Sequence, residues 1–286
     1  MRFVKLNAID STNDFLKKLS QTESVENFTV VSTETQTKGR GQMGSVWVSE
    51  SGKNLIMSVL IKEVLGNVQS IFQLNAAVAV AVIAVLERHA IPKLSVKWPN
   101  DIMSGNKKIG GILIENSLKD VGNIESIVGI GLNVNQTNFE LLPQASSLAL
   151  VSGKTFEIDI LLVEIAQALK ENTARLDLAW QLYTEKLFKK DVPMAFQDQQ
   201  GLRFMGIVIG VASDGKLKIQ MEDGSFQTFG IKEIQMLYWT AMLVHHLDIG
   251  SQKSARVYLN SSIEFLIVLI LTKFPDFPHL GCIFIH

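Results

Sequence analysis

The sequence predicts an α/β (α+β) fold, in which a domain of interleaved strands and helices over residues 1–190 is followed by a small all-β unit over 194–238. Three observations carry this expectation. Apolar and β-branched runs alternate with longer helical stretches as far as about residue 188. After Pro193 the pattern changes to short strands joined by turn residues. A glycine-rich segment from Gly39 to Gly44 lies between stretches that read as strands, not at the head of a helix.

Taken in order, Ser11-Thr12-Asn13-Asp14 matches the S-x-x-D start of a capped helix that ends near Ser20. Strands follow at about 28–34 and 54–61. Between them Ser45-Val46-Trp47-Val48-Ser49 reads as a further strand, closed by a turn at Glu50-Ser51-Gly52-Lys53. The run AAVAVAVIAVL places a long apolar helix at about 69–89, and its composition implies burial against the sheet. Strands near 95–98, 109–116 and 124–135 lead to a loop over about 136–156. In the helices expected between 158 and 188, Leu161, Ile165, Leu169, Leu176 and Trp180 recur at helical spacing and belong to the core. Asp214-Gly215 and Asp223-Gly224 then mark hairpin turns of a small barrel.

Gly39-Arg40-Gly41-Gln42-Met43-Gly44 spells G-x-G-x-x-G, yet a dinucleotide-binding loop must open a helix so that phosphate meets free N–H groups, and no helix signal follows here. The glycines flanking Arg40 instead allow backbone N–H groups to approach an anionic ligand. In Lys97-Trp98-Pro99-Asn100-Asp101, Pro99 ends a strand and sets Asn100 and Asp101 on the turn beyond it. Each segment alone also fits an ordinary solvated turn. Their order is more informative. Ser11-Thr12-Asn13, then Glu34-Thr35-Gln36-Thr37-Lys38 leading into GRGQMG with Trp47 behind it, KWPND, KKIGGILIE and Gly129-Ile130-Gly131-Leu132-Asn133-Val134-Asn135 follow one another along the chain.

From about Phe3 to about Tyr238 this set resembles the biotin protein ligases, the biotin–[acetyl-CoA-carboxylase] ligases. The resemblance implies a mixed-sheet catalytic domain related to that of lipoate ligases, followed by a small SH3-like barrel. It implies that biotin and ATP, with Mg²⁺, condense to biotinyl-5′-adenylate, and that a lysine of a biotin carboxyl carrier domain then takes the biotin. Biotin contacts are implied for Ser11, Thr12, Asn13, Gln36, Arg40, Gly41, Gln42, Lys108 and Gly111, and nucleotide contacts for Arg40, Gln42, Trp47, Asn100, Lys108 and Asn133. Lys108, Arg40 and Asp101 are the implied catalytic residues. Joining a carboxylate to a phosphate brings two anions together, so fixed cations such as Arg40 and Lys108 suit the reaction. Asp101 would position the acceptor lysine or take its proton. One departure concerns Gln42, where many relatives carry a second arginine; an amide still donates a hydrogen bond but removes a full charge.

The rest of the chain narrows the function classes. A formal net charge of −1 over 286 residues gives no whole-chain reason to expect nucleic-acid binding. Only ten residues precede Ser11, too few for a winged helix-turn-helix, which counts against a biotin-responsive regulator. Met1 to Ser20 has no signal-peptide core, and a single cysteine, Cys282, suits the cytoplasm and excludes an intrachain disulfide. The histidines at 89, 245, 246, 279 and 286 avoid all the motifs, so no protein-held metal is expected. A monomer or homodimer without membrane attachment is expected. The alternative on the related fold is a lipoate or octanoate ligase or transferase. Residues 239–286 depart from the family pattern, and IEFLIVLIL from Ile263 to Leu271 is too short to span a bilayer. Three readings of this tail stay open: an extra buried element, a partner or membrane-surface patch, and a non-functional extension prone to aggregation.

Overall fold

The computed structural model describes residues 1–62, 70–118, 124–140 and 142–238, together with the backbone of four strands between 242 and 284. The chain divides into two compact units, Met1–Gln235 and Met236–His286.

In the first unit β1 (Phe3–Ile9) and α1 (Thr12–Thr22) lead to β2 (Val30–Gln36), β3 (Asn54–Lys62) and the long α2 (Ile71–Arg88). Then come β4 (Leu94–Lys97), β5 (Asp101–Ser104), β6 (Lys107–Leu118) and β7 (Ile124–Asn133), and after them α3 (Leu148–Ser152), α4 (Ile158–Thr173) and α5 (Leu176–Glu185). Seven strands form one sheet in the order β1-β2-β3-β7-β6-β5-β4. β1 pairs with β2 in parallel and every other recorded neighbour is antiparallel, so the sheet is mixed.

Helices cover both faces of this sheet. β3 is buried at every residue from Asn54 to Ile61, as expected of a strand without a solvent face. On one side α1 inserts Leu16 among Val31, Leu60 and Ile127. α2 is buried without a break from Leu74 to Ile83 and packs on α4 and α5, which is why its sequence shows almost no polar stripe. Asn75 is the exception in this run, and its Nδ2 donates to the Pro99 carbonyl at 2.7 Å.

The small all-β part consists of β8 (Pro193–Asp198), β9 (Arg203–Val211), β10 (Leu217–Met221), β11 (Phe226–Phe229) and β12 (Ile234–Met236). They form a five-stranded sheet in the order β11-β10-β9-β8-β12 around Phe196, Val208, Leu217 and Ile219. Both expected hairpin turns are present, with Gly215 and Gly224 at positive φ of 86° and 81°, where a glycine avoids the Cβ clash. In the second unit β13 (Met242–Ile249), β14 (Lys253–Asn260), β15 (Leu266–Ile270) and β16 (Ile283–Phe284) pair in an antiparallel sheet. Cys282 lies outside the described residues, as do the side chains of the tail, so its three readings stand.

Several expectations need correction. β1 was not foreseen; its exposed–intermediate burial pattern reflects an edge strand that shows little hydrophobic contrast. The loop expected over 136–156 contains α3, capped by the Ser147 side chain, which accepts from Leu150 N. Asp101 is the first residue of β5 and pairs with Lys97, because the turn over residues 98–100 reverses the chain at once. Residues 45–49 do not form a strand. Their only ladder contact is an isolated bridge between Arg40 and Val46, and Val46 and Val48 stay 74% and 68% exposed. Alternating β-branched residues make a strand only when a neighbour is there to bury them, and here the glycine-rich segment folds back on itself instead.

Candidate active site

The strand register creates the floor of the site. Asp101 in β5, Gly111 in β6, Gly131 in β7 and Ile56 in β3 are directly opposite one another, so they share one face of the sheet. The next row on that face is Leu113, Gly129 and Ser58, and the row beyond it holds Glu115 and Ile127. Rows two residues apart along a strand are separated by roughly 7 Å.

Two of the glycines are spaces for other side chains. A Cβ on Gly131 would lie 2.6 Å from Cε2 of Trp47, and one on Gly129 would lie 2.5 Å from Oδ1 of Asn13. Trp47 therefore rests on the Gly111–Gly131 pair, while Asn13 descends from α1 onto Gly129. The Trp47 indole Nε1 is buried with no hydrogen-bond partner, which leaves one donor available beside the glycine floor.

At the start of α1, Ser11 caps the helix, its side chain accepting from Asp14 N at 3.3 Å. The cap and the next two residues are nearly fully buried: Ser11 3%, Thr12 3% and Asn13 4% exposed. Gln36 at the end of β2 turns Oε1 to the Thr12 N–H at 2.8 Å. Ser58 Oγ lies 2.7 Å from Thr12 Oγ1 and 2.6 Å from Asn13 Oδ1. Asn13 Nδ2 donates to Glu115 at 2.8 Å, and Arg40 Nη2 donates to the same carboxylate at 3.1 Å and to Asp14. The structure thus joins Ser11, Thr12, Asn13, Gln36 and Arg40 into one polar cluster.

Arg40 is carried by a narrow hairpin closed by Trp47 N→Gly39 O at 3.0 Å and Gly41 N→Ser45 O at 2.8 Å. A Cβ on Gly39 would meet the Trp47 carbonyl at 2.4 Å, and one on Gly41 would meet Ser45 Oγ at 2.4 Å. Here the close approach that the glycines permit is to the loop's own return segment, and the Gly41 N–H is taken by Ser45. At the tip Met43 adopts φ 54°, and Lys232 Nζ donates to its carbonyl at 2.9 Å. Gln42 diverges from Arg40: it lines a cavity of about 710 Å³ shared with Phe72, Asn75, Asn116 and Asp214.

At the other end of the floor Lys108 Nζ lies 2.6 Å from Asp101 Oδ1 and 5.9 Å from the Trp47 ring centroid. Lys97 approaches the second Asp101 oxygen at 3.9 Å. The Trp98–Pro99 peptide is cis. Four contacts hold the turn ahead of Asp101: Asn75 and Tyr183 both donate to the Pro99 carbonyl, Asn100 Nδ2 donates to Ile112 O, and Trp98 Nε1 donates to Gly215 O. Burial, with a smaller effect of the Asp101 charge, pushes the Tyr183 phenol well above its usual value, so it remains a protonated donor.

Asn100 and Asn133 are 9% and 5% exposed, and their recorded hydrogen bonds are internal. Asn133 Nδ2 donates to Ser146 O, which fixes the segment running beside Lys108 through Lys108 N→Gln144 O and Ser146 N→Lys108 O. Both amides hold backbone carbonyls beside the site, those of Ile112 and Ser146. Ser58 carried no assignment in the sequence, while Asp14 was read only as part of the helix cap and Glu115 only as the end of the KKIGGILIE motif. Ser58 had a signal, as a lone serine between Met57 and Val59 in an otherwise apolar strand core. Among the described residues no group of three or more His, Cys, Asp or Glu could hold a metal ion.

Comparison with known proteins bears on the family of the chain. The model of the biotin/lipoate A/B protein ligase family matches residues 6–135. The chain is 30% identical over 230 residues to the bifunctional ligase/repressor BirA of Bacillus spizizenii, covering 76% of this chain and 69% of that protein. Identity to the biotin–[acetyl-CoA-carboxylase] ligase of Mycobacterium tuberculosis is 34% over 142 residues, which is 48% of this chain and about half, 51%, of the relative. Among solved structures, the biotin protein ligase of Aquifex aeolicus in complex with biotin and ATP matches with a TM-score of 0.67 at 25% identity, over 82% of this chain and 98% of that one. A mixed sheet floored by paired glycines, the motifs that build its site and a relative matched over most of both lengths together place this chain in the biotin/lipoate A/B protein ligase family.

Proposed function

We propose that the protein is an ATP-dependent biotin ligase that forms biotinyl-5′-adenylate and transfers biotin to a lysine of a biotin carboxyl carrier domain. The observation that carries this reading is the placement, on one face of the sheet, of a buried polar cluster at one end and the Lys108–Asp101 pair at the other, with a glycine floor between them. A ureido ring offers N–H donors and a carbonyl acceptor, and Thr12 and Gln36, ordered by Asn13 and Ser58 behind them, supply the complementary groups. A site built to pair such groups rejects analogues that lack them.

In the first step a biotin carboxylate oxygen attacks the α-phosphorus of ATP, an O–P bond forms, and the bond to pyrophosphate breaks. Lys108 is placed to steady both anions, leaving Asp101 for the ligand as it does so; Arg40 supplies the second cation. Trp47 offers its ring and unpaired N–H to the nucleotide. Mg²⁺ would enter on the triphosphate and neutralise its charge. In the second step a neutral acceptor amine attacks the biotinyl carbonyl carbon, AMP leaves with the bonding pair, and Asp101 is the nearby carboxylate for the amine proton. Residues 1–190 form the ligase domain in this reading, and the 194–238 sheet corresponds to the SH3-like barrel of the family. Relatives named for acetyl-CoA carboxylase support a carboxylase carrier domain as partner.

The test is incubation with ATP, Mg²⁺, labelled biotin and a biotin carboxyl carrier domain, with lipoic acid in place of biotin as control. Biotin-dependent pyrophosphate exchange and labelling of the carrier are expected. A folded protein that exchanges pyrophosphate with lipoate and not with biotin refutes the reading.

A further inference from the structure

We infer that Glu115 is a positioning residue that sets the donor–acceptor polarity of the ureido subsite and ties that polarity to Arg40. This rests on the biotin ligase reading above.

The argument is a count of protons. Asn13 presents either its oxygen or its nitrogen to each neighbour, and the neighbours decide which. Glu115 Oε2 at 2.8 Å and Leu113 O at 3.5 Å are both acceptors, so Nδ2 faces them and Oδ1 faces Ser58. A carboxamide oxygen cannot donate, so the single Ser58 hydroxyl proton goes to Asn13. At the 2.7 Å contact between Ser58 and Thr12 the proton must then come from Thr12. Gln36 Oε1 lies 2.8 Å from the Thr12 backbone N–H and 3.1 Å from Thr12 Oγ1; with the hydroxyl proton committed to the shorter Ser58 contact, the backbone N–H satisfies this oxygen, so Gln36 has its Nε2 donors to offer. The cluster thereby presents the Thr12 hydroxyl as an acceptor and the Gln36 amide as a donor, which matches the N–H and carbonyl of a ureido ring.

Reversing Asn13 would set its oxygen against the Glu115 carboxylate with no proton between them and would reverse every hydroxyl behind it. Ser58 is fully buried, so no solvent repairs a wrong order there. The same carboxylate holds Arg40 at 3.1 and 3.3 Å. One side chain thus orders the groups that read the ring and anchors the loop cation that meets the anionic end of the ligand.

The test uses the full chain and begins with biotin-dependent pyrophosphate exchange by the wild type, whose absence would overturn the ligase reading itself. With that activity in hand, Glu115→Gln is expected to raise the biotin KM roughly tenfold, the loss of one hydrogen bond to a charged group, while kcat stays within about twofold. Asn13→Asp alone sets two carboxylates together and is expected to lose more. Combining it with Glu115→Gln restores a donor facing an acceptor and keeps Ser58 donating, so the double variant should recover about tenfold over Asn13→Asp. An unchanged biotin KM in Glu115→Gln overturns the inference. So does a double variant no better than Asn13→Asp, because a merely structural role gives no reason for that rescue.

Discussion

Adding a single methyl group at Gly131 should separate nucleotide use from stability. Its Cβ would come within 2.6 Å of Trp47 Cε2, 2.7 Å of Cζ2 and 3.1 Å of Cδ2, where ordinary carbon contacts begin near roughly 3.5 Å. The indole must therefore lift by about 1 Å, because the ring is rigid and the strand is pinned between β3 and β6. Gly131 lies outside the positive-φ region, so alanine brings no backbone strain there. The loop that carries Trp47 is largely exposed, and its movement limits the stability loss to about 1 kcal/mol. Misplacing a group that orients the ligand by about 1 Å costs up to ~100-fold in rate. Pyrophosphate exchange at varied ATP and varied biotin, alongside a thermal melt, should show the ATP dependence of Gly131→Ala worsened ten- to a hundredfold, by rough estimate, with little change in Tm. Gly111→Ala is the control, since its Cβ would make ordinary 3.5 Å contacts with Lys108 and Trp47 and should be milder. Gly129→Ala would press on Asn13 at 2.5 Å and should act on biotin instead. Wild-type ATP dependence in Gly131→Ala, or a larger effect from Gly111→Ala, would refute Trp47 as the floor-mounted nucleotide contact.

Lys108→Ala should slow adenylate formation about a hundredfold, a loss of ~3 kcal/mol; near-normal pyrophosphate exchange would remove Lys108 from the chemistry. Gln42→Arg should slow release of biotinyl-adenylate, because a charge-assisted hydrogen bond to phosphate adds about 1.5 kcal/mol. Equal or faster off-rates would mean that the cavity Gln42 lines, with Asp214 on its wall, does not take the phosphate. Truncation after Tyr238 should leave both half-reactions intact, since all the proposed site residues lie between Ser11 and Asn133 and Met1–Gln235 is a compact unit. A fall in Tm of several degrees, as ~1–2 kcal/mol would produce, would make the tail part of the stable fold.

The sequence by itself determined the elements with strong local signals and the residues with distinctive chemistry. The Ser11 cap, the apolar α2, both Asp-Gly hairpin turns and the motifs around Arg40, Trp98 and Lys108 are local, and each has a physical reason that can be read within a few residues. Only the tertiary structure decided which side chains meet. Ser58, Asn13 and Glu115 are 45 and 102 residues apart in successive contacts, and their meeting depends on the antiparallel register of β3, β7 and β6, in which a slip of one residue would turn each side chain to the other face. Register also made Gly129 and Gly131, which the sequence placed only within a strand, the space beneath Asn13 and Trp47. The failed strand at residues 45–49 has the same cause in reverse: its β propensity was legible, but the absence of a partner for Val46 and Val48 was a property of the whole fold.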